Sequence, residues 1–303
     1  MPSGIILKGI GGFYYVLSEN KTYECKARGI FRKNEITPLP GDRVDFSVID
    51  EDKKTGSLDG IMPRTSLLTR PAVANVNQVA IVIAVKSPPL DFMLLDKLLV
   101  TAARENIKPV ICLNKLDLDG GNEHSEIEET YRNAGYSFIL TSNRTGEGLD
   151  ELESILKSNI TVFAGQSGVG KSTLLNSIMK NLVMQTGGLS QKTDRGKHTT
   201  RHAELVPLEC GGFVVDTPGF SSFELEDIDK DELQLYFPEF GGLAGECRFA
   251  GCCHIKEPDC KVKDSVSSGL IDTGRYDRYV ELFGYLKQLS DNKYKKTYRE
   301  KKK

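Results

Sequence analysis

Tryptophan is absent from these 303 residues, histidine occurs four times, and neither charge dominates, with 40 Lys and Arg against 42 Asp and Glu. The net charge of −2 means that a nucleic-acid partner would have to be met by local basic patches. No apolar run approaches the roughly 18 residues of a membrane span, so no membrane partner is expected. Met1 to Gly12 lacks the basic region and long apolar core of a secretory signal. The expectation is therefore a cytoplasmic protein, and a monomer, in a compartment where thiols stay reduced. No internal repeat or long low-complexity segment is present. Of seven cysteines, Cys25, Cys112 and Cys210 are scattered, whereas Cys247, Cys252, Cys253 and Cys260 fall within 14 residues. In a reducing compartment that clustering points to a metal before a disulfide.

Residues 1 to about 68 read as all-β. The runs 13–17 and 22–27 are aromatic and β-branched and flank a polar turn, which is a hairpin signal. Pro40-Gly41-Asp42 is a turn feeding 43–49, where polar and apolar residues alternate as in a strand with one wet face. Short strands with Gly and Pro turns suggest a small barrel of the OB type. Such barrels often bind structured or single-stranded nucleic acid, although fold alone does not fix the partner.

From about residue 72 the pattern changes. Residues 79–85 form a continuous apolar run, typical of a strand buried on both faces. Asp91 is placed to cap a helix running through Arg104, with Leu94, Leu95, Leu98 and Leu99 at helical spacing. Further strands are predicted at 109–113, 160–164 and 213–215, and a helix at 172–179. Alternating strands and helices imply an α/β domain with a largely parallel sheet. After about residue 228 the chain becomes helical and cysteine-bearing. The organisation expected is residues 1–70, 71–227 and 228–303.

Gly165-Gln166-Ser167-Gly168-Val169-Gly170-Lys171-Ser172 matches the phosphate loop and lies between a strand and a helix that includes Thr173. Its glycines let successive N–H groups face phosphate oxygens at a helix N-terminus. Lys171 is then expected to reach the β- and γ-phosphates and Ser172 to ligate Mg²⁺. Asp216-Thr217-Pro218-Gly219 follows the strand at 213–215. Its carboxylate can hold Mg²⁺ through water, and the Gly219 N–H can contact the γ-phosphate. Alone Asp-x-x-Gly is a common turn; 44 residues beyond Ser172 it carries weight. Asn114-Lys115-Leu116-Asp117 follows the strand at 110–113 and fits guanine, because Asp117 can accept from both N1–H and the 2-amino group. Adenine offers no such pair, so a wrong base leaves a carboxylate unpaired. Thr141-Ser142-Asn143, at the next strand end, resembles the element whose backbone braces the guanine carbonyl.

The order of these motifs is informative. The base-reading tetrad ordinarily follows the phosphate loop; here it precedes it by about fifty residues. Every motif remains at a strand end, so the simplest account is a circular permutation of one sheet, with termini moved to loops near residues 70 and 225.

Residues 187–201 are polar, glycine-bearing and aperiodic, as expected of a switch loop. Thr199 or Thr200 can supply a second Mg²⁺ hydroxyl, with Thr200 slightly preferred. Phe220 occupies the place where many GTPases carry a water-orienting Gln, and His198 is the nearest candidate for that task. Cys247, Cys252, His254 and Cys260 supply three thiolates and one imidazole, which suits a closed tetrahedral zinc site of structural type. Cys253 is an alternative to its neighbour. From Arg275 to Leu289, Tyr276, Tyr279, Leu282, Phe283, Leu286 and Leu289 recur at helical spacing and read as a core stripe. Residues 287–303 hold eight Lys or Arg and two Asp or Glu, with Tyr294 and Tyr298 interleaved; they suit RNA phosphates and bases, or a solvated terminus.

Together these motifs closely resemble the bacterial ribosome small-subunit-dependent GTPase A family (RsgA, also YjeQ or YloQ), and the resemblance spans essentially the whole chain. It implies an N-terminal all-β OB-fold domain, a circularly permuted α/β P-loop GTPase domain, and a C-terminal mainly α domain holding one structural zinc on Cys247, Cys252, His254 and Cys260. It implies GTP hydrolysis with Mg²⁺ in late maturation of the 30S subunit, stimulated by that particle and its 16S rRNA, with a hydrophobic residue such as Phe220 in place of the catalytic glutamine. The alternative is an RNA-binding assembly factor that uses GTP only to switch shape.

Overall fold

The computed structural model describes residues 1–29, 31, 36–69, 71–186, 203–220, 225 and 228–300. The side chains of 180–186, 217–220 and 293–300 lie outside that description, as do the backbone and side chains of the expected switch loop with His198, Thr199 and Thr200.

Strands β1 (Ser3–Ile10), β2 (Phe13–Ser18), β3 (Lys21–Ala27), β4 (Arg43–Asp50) and β5 (Thr55–Ile61) close into a barrel in the order β1-β2-β3-β5-β4. The expected hairpin is β2–β3, paired from Phe13↔Lys26 to Ser18↔Lys21. Ile6, Val16, Cys25, Val44, Phe46 and Leu58 fill the interior and are excluded from solvent. The turn at Pro40–Asp42 does more than reverse the chain. Asp42, fully buried, receives two hydrogen bonds from the Arg64 guanidinium at 2.7 and 2.8 Å. Asn75 Nδ2 donates to the Gly41 carbonyl at 2.8 Å. These bonds seat the barrel on the short hairpin β6 (Leu67–Thr69) and β7 (Ala72–Ala74) that leads into the next sheet.

That sheet contains β8 (Gln78–Ala84), β9 (Lys108–Asn114), β10 (Ser137–Leu140), β11 (Ile160–Ala164), β12 (Glu204–Leu208) and β13 (Gly212–Phe220) in the order β10-β9-β8-β11-β13-β12. All neighbours are parallel except β12, which pairs antiparallel with β13 at the edge. Buried β8 shows why its sequence is a continuous apolar run. Val79, Ile81 and Ile83 enter one core, and Ala80, Val82 and Ala84 the other. Helices α1 (Phe92–Arg104) and α2 (Glu123–Asn133) cover the first face; α3 (Leu149–Leu156) and α4 (Lys171–Thr186) cover the second. Each fully buried Val, Leu or Ile is worth about 1.5–3 kcal/mol of transfer free energy, so double coverage is a large stabilising term. Asp91 caps α1 as expected, accepting from the Leu94 N–H at 2.9 Å.

Strands β1 and β5 and helices α2 and α3 were not anticipated in the sequence, and three further elements also differ from the expectation. The helix after the phosphate loop runs to Thr186 rather than ending at 179. Strand β12 was not anticipated, since Pro207 interrupts its pattern; a proline is tolerated there because β12 is an edge strand. The strand expected at 213–215 continues to Phe220. Its register to β11 jumps from Val162↔Val215 to Ala164↔Phe220, so Asp216 to Gly219 bulges out of the ladder.

Beyond residue 228, short 3₁₀ turns at Leu233–Tyr236, Pro238–Phe240 and Ala244–Glu246 precede helix α5 (Lys261–Ser267) and the 28-residue helix α6 (Thr273–Glu300). Leu233, Phe237, Phe240, Tyr279, Leu282 and Leu286 form their core, which also takes in Val100 from α1. Among the described residues no helix is long and apolar enough to cross a membrane.

Candidate functional site

The phosphate loop lies between β11 and α4, at the C-terminal end of the central strands, where open α/β sheets place their ligands. Two of its glycines are required by close approach. Gly165 has φ +128°, and a Cβ there would stand 2.1 Å from the Val82 carbonyl oxygen. Gly170 has φ +101°, and a Cβ there would stand 2.4 Å from Asn114 Nδ2. Any side chain at either position would push the loop off β8 or off the tetrad Asn114–Asp117. Ser167, Gly168, Ser172 and Thr173 are exposed, Gln166 and Lys171 are half-buried, and Val169 packs into the core. Lys171 Nζ donates to the carbonyls of Gly165 and Gln166 at 2.8 and 2.9 Å, curling over the loop, and partial burial lowers its pKa.

The tetrad Asn114–Asp117 is locked to this loop although about fifty residues separate them in sequence. Asn114, at the end of β9 and 1% exposed, donates from Nδ2 to the Val169 carbonyl at 2.8 Å. Its Oδ1 accepts from Thr141 Oγ1 at 3.3 Å. Lys115 adopts a left-handed backbone with φ +63°, and its Nζ donates to the Gly168 carbonyl at 2.7 Å and to the Ser87 carbonyl. Asp117 Oδ1 accepts from the buried Ser142 hydroxyl at 2.7 Å, which aims the carboxylate, while Arg144 lies 3.9 Å from Oδ2. Thr141 and Ser142 follow β10, as the sequence placed them. One wall thus carries a carboxylate oriented for a bidentate contact, and the other a glycine loop opening a helix. Asp216 is exposed and opens the bulge in β13, opposite Glu204 of β12. Of the sequence-predicted groups here, those at 198–200 and the side chain of Phe220 fall outside the described residues.

A second cluster lies in the C-terminal region. One ligand atom each from Cys247, Cys252, His254 and Cys260 lies within 4.8 Å of the others. His254 Nδ1 is 3.3 Å from Cys260 Sγ and 3.6 Å from Cys247 Sγ. Burial lowers the His254 pKa, and burial beside Cys260 and Cys247 pushes the Cys252 thiol up to about 12. A buried thiol whose ionisation is this unfavourable, gathered with two further thiols and an imidazole, fits a site that needs a cation to draw off its proton, and the donor set suits zinc. Cys253 faces elsewhere, its Sγ lying 3.7 Å from Asp231 Oδ1. The loop between the cysteines is held by residues that no ligand spacing reveals. Glu257 accepts from the backbone N–H groups of Cys253, Ile255 and Lys256 at 2.9 to 3.1 Å. The Tyr276 and Tyr279 hydroxyls donate to the carbonyls of His254 and Cys253 at 2.7 and 2.8 Å. The stripe read as core therefore also fastens α6 to the cysteine loop.

Known proteins share both features of the chain, the reversed motif order and the barrel before it. The sequence pattern of the family described as RsgA GTPase matches residues 61–226, and that of the RsgA N-terminal domain matches residues 3–57. A relative from Ruminiclostridium cellulolyticum named Small ribosomal subunit biogenesis GTPase RsgA is 56% identical over 299 residues, covering 98% of each chain. One of the same name from Alkaliphilus metalliredigens is 49% identical over 95% of this chain and 99% of its own. Among solved structures, YloQ, described as a circularly permuted GTPase, superposes with a TM-score of 0.81 at 42% identity, covering 95% of this chain and 96% of its own. YjeQ from Thermotoga maritima also gives 0.81, at 38% identity over 94% and 98%. This chain places a sheet with base and phosphate motifs bonded across it behind a five-stranded barrel and ahead of a Cys₃His cluster, and it belongs to the RsgA GTPase family.

Proposed function

We propose that this chain is a GTPase of small-ribosomal-subunit biogenesis that hydrolyses GTP to GDP with Mg²⁺. The observation that carries the reading is the bond from Asn114 to the Val169 carbonyl, at 2.8 Å, which makes base motif and phosphate loop one site despite their reversed order. Asn114, Lys115 and Asp117, braced by Thr141 and Ser142, read guanine. Gly165 to Thr173 hold the phosphates, with Lys171 countering charge on their oxygens. Ser172 and Thr200 would hold Mg²⁺, Asp216 would support it through water, and Gly219 would contact the γ-phosphate. The ion, when bound, neutralises charge developing on the transferred phosphoryl group. His198 orients the attacking water, a task the hydrocarbon ring of Phe220 cannot perform.

The working division of the chain is an RNA-binding OB domain at 1–70, the permuted GTPase at 71–227 and a zinc-binding domain at 228–303. Cys247, Cys252, His254 and Cys260 would hold one zinc, which supplies folding free energy to the third part. The partner is the 30S subunit, met through 16S rRNA by the barrel and the basic end of α6, and the chain works as a cytoplasmic monomer. The test is turnover at fixed GTP while 30S and 50S subunits are titrated separately. Strong stimulation by 30S alone is expected. Stimulation by 50S alone, or by neither, overturns the partner and leaves the nucleotide chemistry standing.

A further inference from the structure

We propose that Gln234 is the positioning residue of the Cys₃His cluster: its side-chain carbonyl fixes which ring nitrogen of His254 faces the metal. The proposal rests on the reading of that cluster as a metal site. A neutral imidazole ligates through one nitrogen and carries a proton on the other, and a buried N–H left without an acceptor costs about 1–3 kcal/mol. His254 is fully excluded from solvent. Its Nδ1 points among the sulfurs, 3.3 Å from Cys260 Sγ, while its Nε2 lies 2.8 Å from Gln234 Oε1. The Gln234 amide is itself oriented, because its Nε2 donates to the Asp231 carbonyl at 3.2 Å and so turns the oxygen toward His254. A carbonyl oxygen can only accept. His254 Nε2 therefore carries the proton, and the Nδ1 lone pair is left for the metal.

Gln234 is held in place by its element. It sits on the 3₁₀ turn Leu233–Tyr236, anchored by the buried side chain of Leu233. On another side the His254 ring meets Phe240 edge-on at 5.7 Å, so Phe240 offers it no acceptor in the ring plane. Gln234 precedes the first cysteine of the cluster by thirteen positions and is not itself a ligand type, which is why the sequence does not disclose it. The bond also has a structural consequence. It ties the 3₁₀ turn Leu233–Tyr236 to the metal loop.

The experiment uses the full chain, loaded with Zn²⁺ or Co²⁺, and the variants Gln234→Leu and Gln234→Glu. Long-range ¹H–¹⁵N correlation on ¹⁵N-histidine protein reports which nitrogen of His254 is protonated. Competition with a chromophoric chelator reports affinity, and GDP binding confirms that the rest of the chain is folded. In the wild-type chain Nε2 should be protonated and Nδ1 metal-bound. Gln234→Leu should weaken metal affinity about 10–100-fold and shift the visible Co²⁺ bands. Gln234→Glu, which keeps an acceptor, should restore both. A proton on Nδ1 in the wild-type chain, or unchanged affinity and spectrum in Gln234→Leu, overturns the role of Gln234 alone. Absence of a thiolate-to-Co²⁺ charge-transfer band in the wild-type chain overturns the metal reading and the proposal together.

Discussion

Arg275 and Asp96 are 179 residues apart in sequence and meet at 2.5 Å, with side chains 2% and 0% exposed. Arg275 opens α6 and Asp96 lies on α1, so one buried ion pair joins the cysteine-bearing region to the nucleotide-binding sheet. Arg278 and the Tyr131 hydroxyl also bond Asp96, Glu239 takes the other side of the Arg275 guanidinium, and the rings of Tyr131, Tyr136 and Phe237 stack against it. Removing Arg275 leaves the buried Glu239 without its partner and Asp96 with Arg278 alone, so Arg275→Met should cost about 3–5 kcal/mol. The double variant Glu239→Gln with Arg275→Met, which removes the orphaned charge, should recover part of that loss. Urea unfolding of the metal-loaded chain measures both. A loss under about 1 kcal/mol for the single variant would place the pair among weak surface bridges instead.

A second carboxylate gives a pH prediction. Asp119 precedes α2 and is held at a pKa of about 2, first by its hydrogen bond to His124 and further by the N–H groups of Glu123, Gly121 and His124, against an opposing contribution from burial. An unfolded chain has this group near 3.9, so it adds stability that is fully present above about pH 4 and is lost as pH falls through about 2. In His124→Ala the Asp119 pKa should rise toward the ordinary carboxylate range, read by carboxyl ¹³C titration. An unmoved value would assign the depression to the backbone N–H groups alone.

The contrast between these residues and the nucleotide motifs shows what sequence discloses. Gly165, Gly170, Lys171 and Asp117 belong to motifs defined by residue type at a fixed local spacing, so both the motifs and their places at strand ends could be read directly. The four cysteine and histidine positions were legible for the same reason. Arg275 was not, because a charge at the start of an amphipathic helix looks solvated until partners from two distant helices are in view. Gln234 carries no spacing signal at all. The bulge after Val215 was hidden by Pro218 and Gly219, which read as the end of a strand. Strands β1 and β5, with glycines at 4, 9, 56 and 60, lacked the β-branched density that marked β2 and β3.

Metal removal should act regionally. The C-terminal core has aromatic packing, but its cysteine loop is closed by hydrogen bonds, by the exposed Arg248–Asp259 ion pair at 2.6 Å, and by the ligand cluster. Chelation, or Cys260→Ser, should therefore expose residues from about 228 onward to protease while GDP affinity persists, since the phosphate loop and tetrad bond to each other directly. Limited proteolysis with and without chelator tests this. Equal resistance in both would remove the structural role of the metal.

His198→Ala should lower kcat by about a hundredfold or more with 30S subunits present while leaving GDP affinity within a few fold, the pattern of a group acting only in the transition state. Steady-state turnover and equilibrium nucleotide binding separate the two effects. An unchanged kcat would pass the water-orienting role to another residue.

Base specificity is the sharpest test of the site. Asp117 Oδ1 accepts from Ser142 at 2.7 Å, so the carboxylate is held in one orientation before any base arrives. Guanine presents N1–H and the 2-amino group to it, both donors. Asp117→Asn replaces one acceptor with a donor, which then faces the 2-amino donor of guanine. Xanthine carries a carbonyl at that position, so the variant should lose GTP affinity by about 10²-fold or more and gain affinity for xanthosine triphosphate. Ser142→Ala should weaken GTP binding less, about tenfold, because it frees the carboxylate to turn but leaves both acceptors. Its selectivity for GTP over xanthosine triphosphate should keep the wild-type sign. Competition binding with GTP, xanthosine triphosphate and ATP distinguishes the cases. If Asp117→Asn keeps wild-type GTP affinity, the base is read elsewhere. If Ser142→Ala is as damaging as Asp117→Asn, the serine touches the base directly instead of aiming the carboxylate.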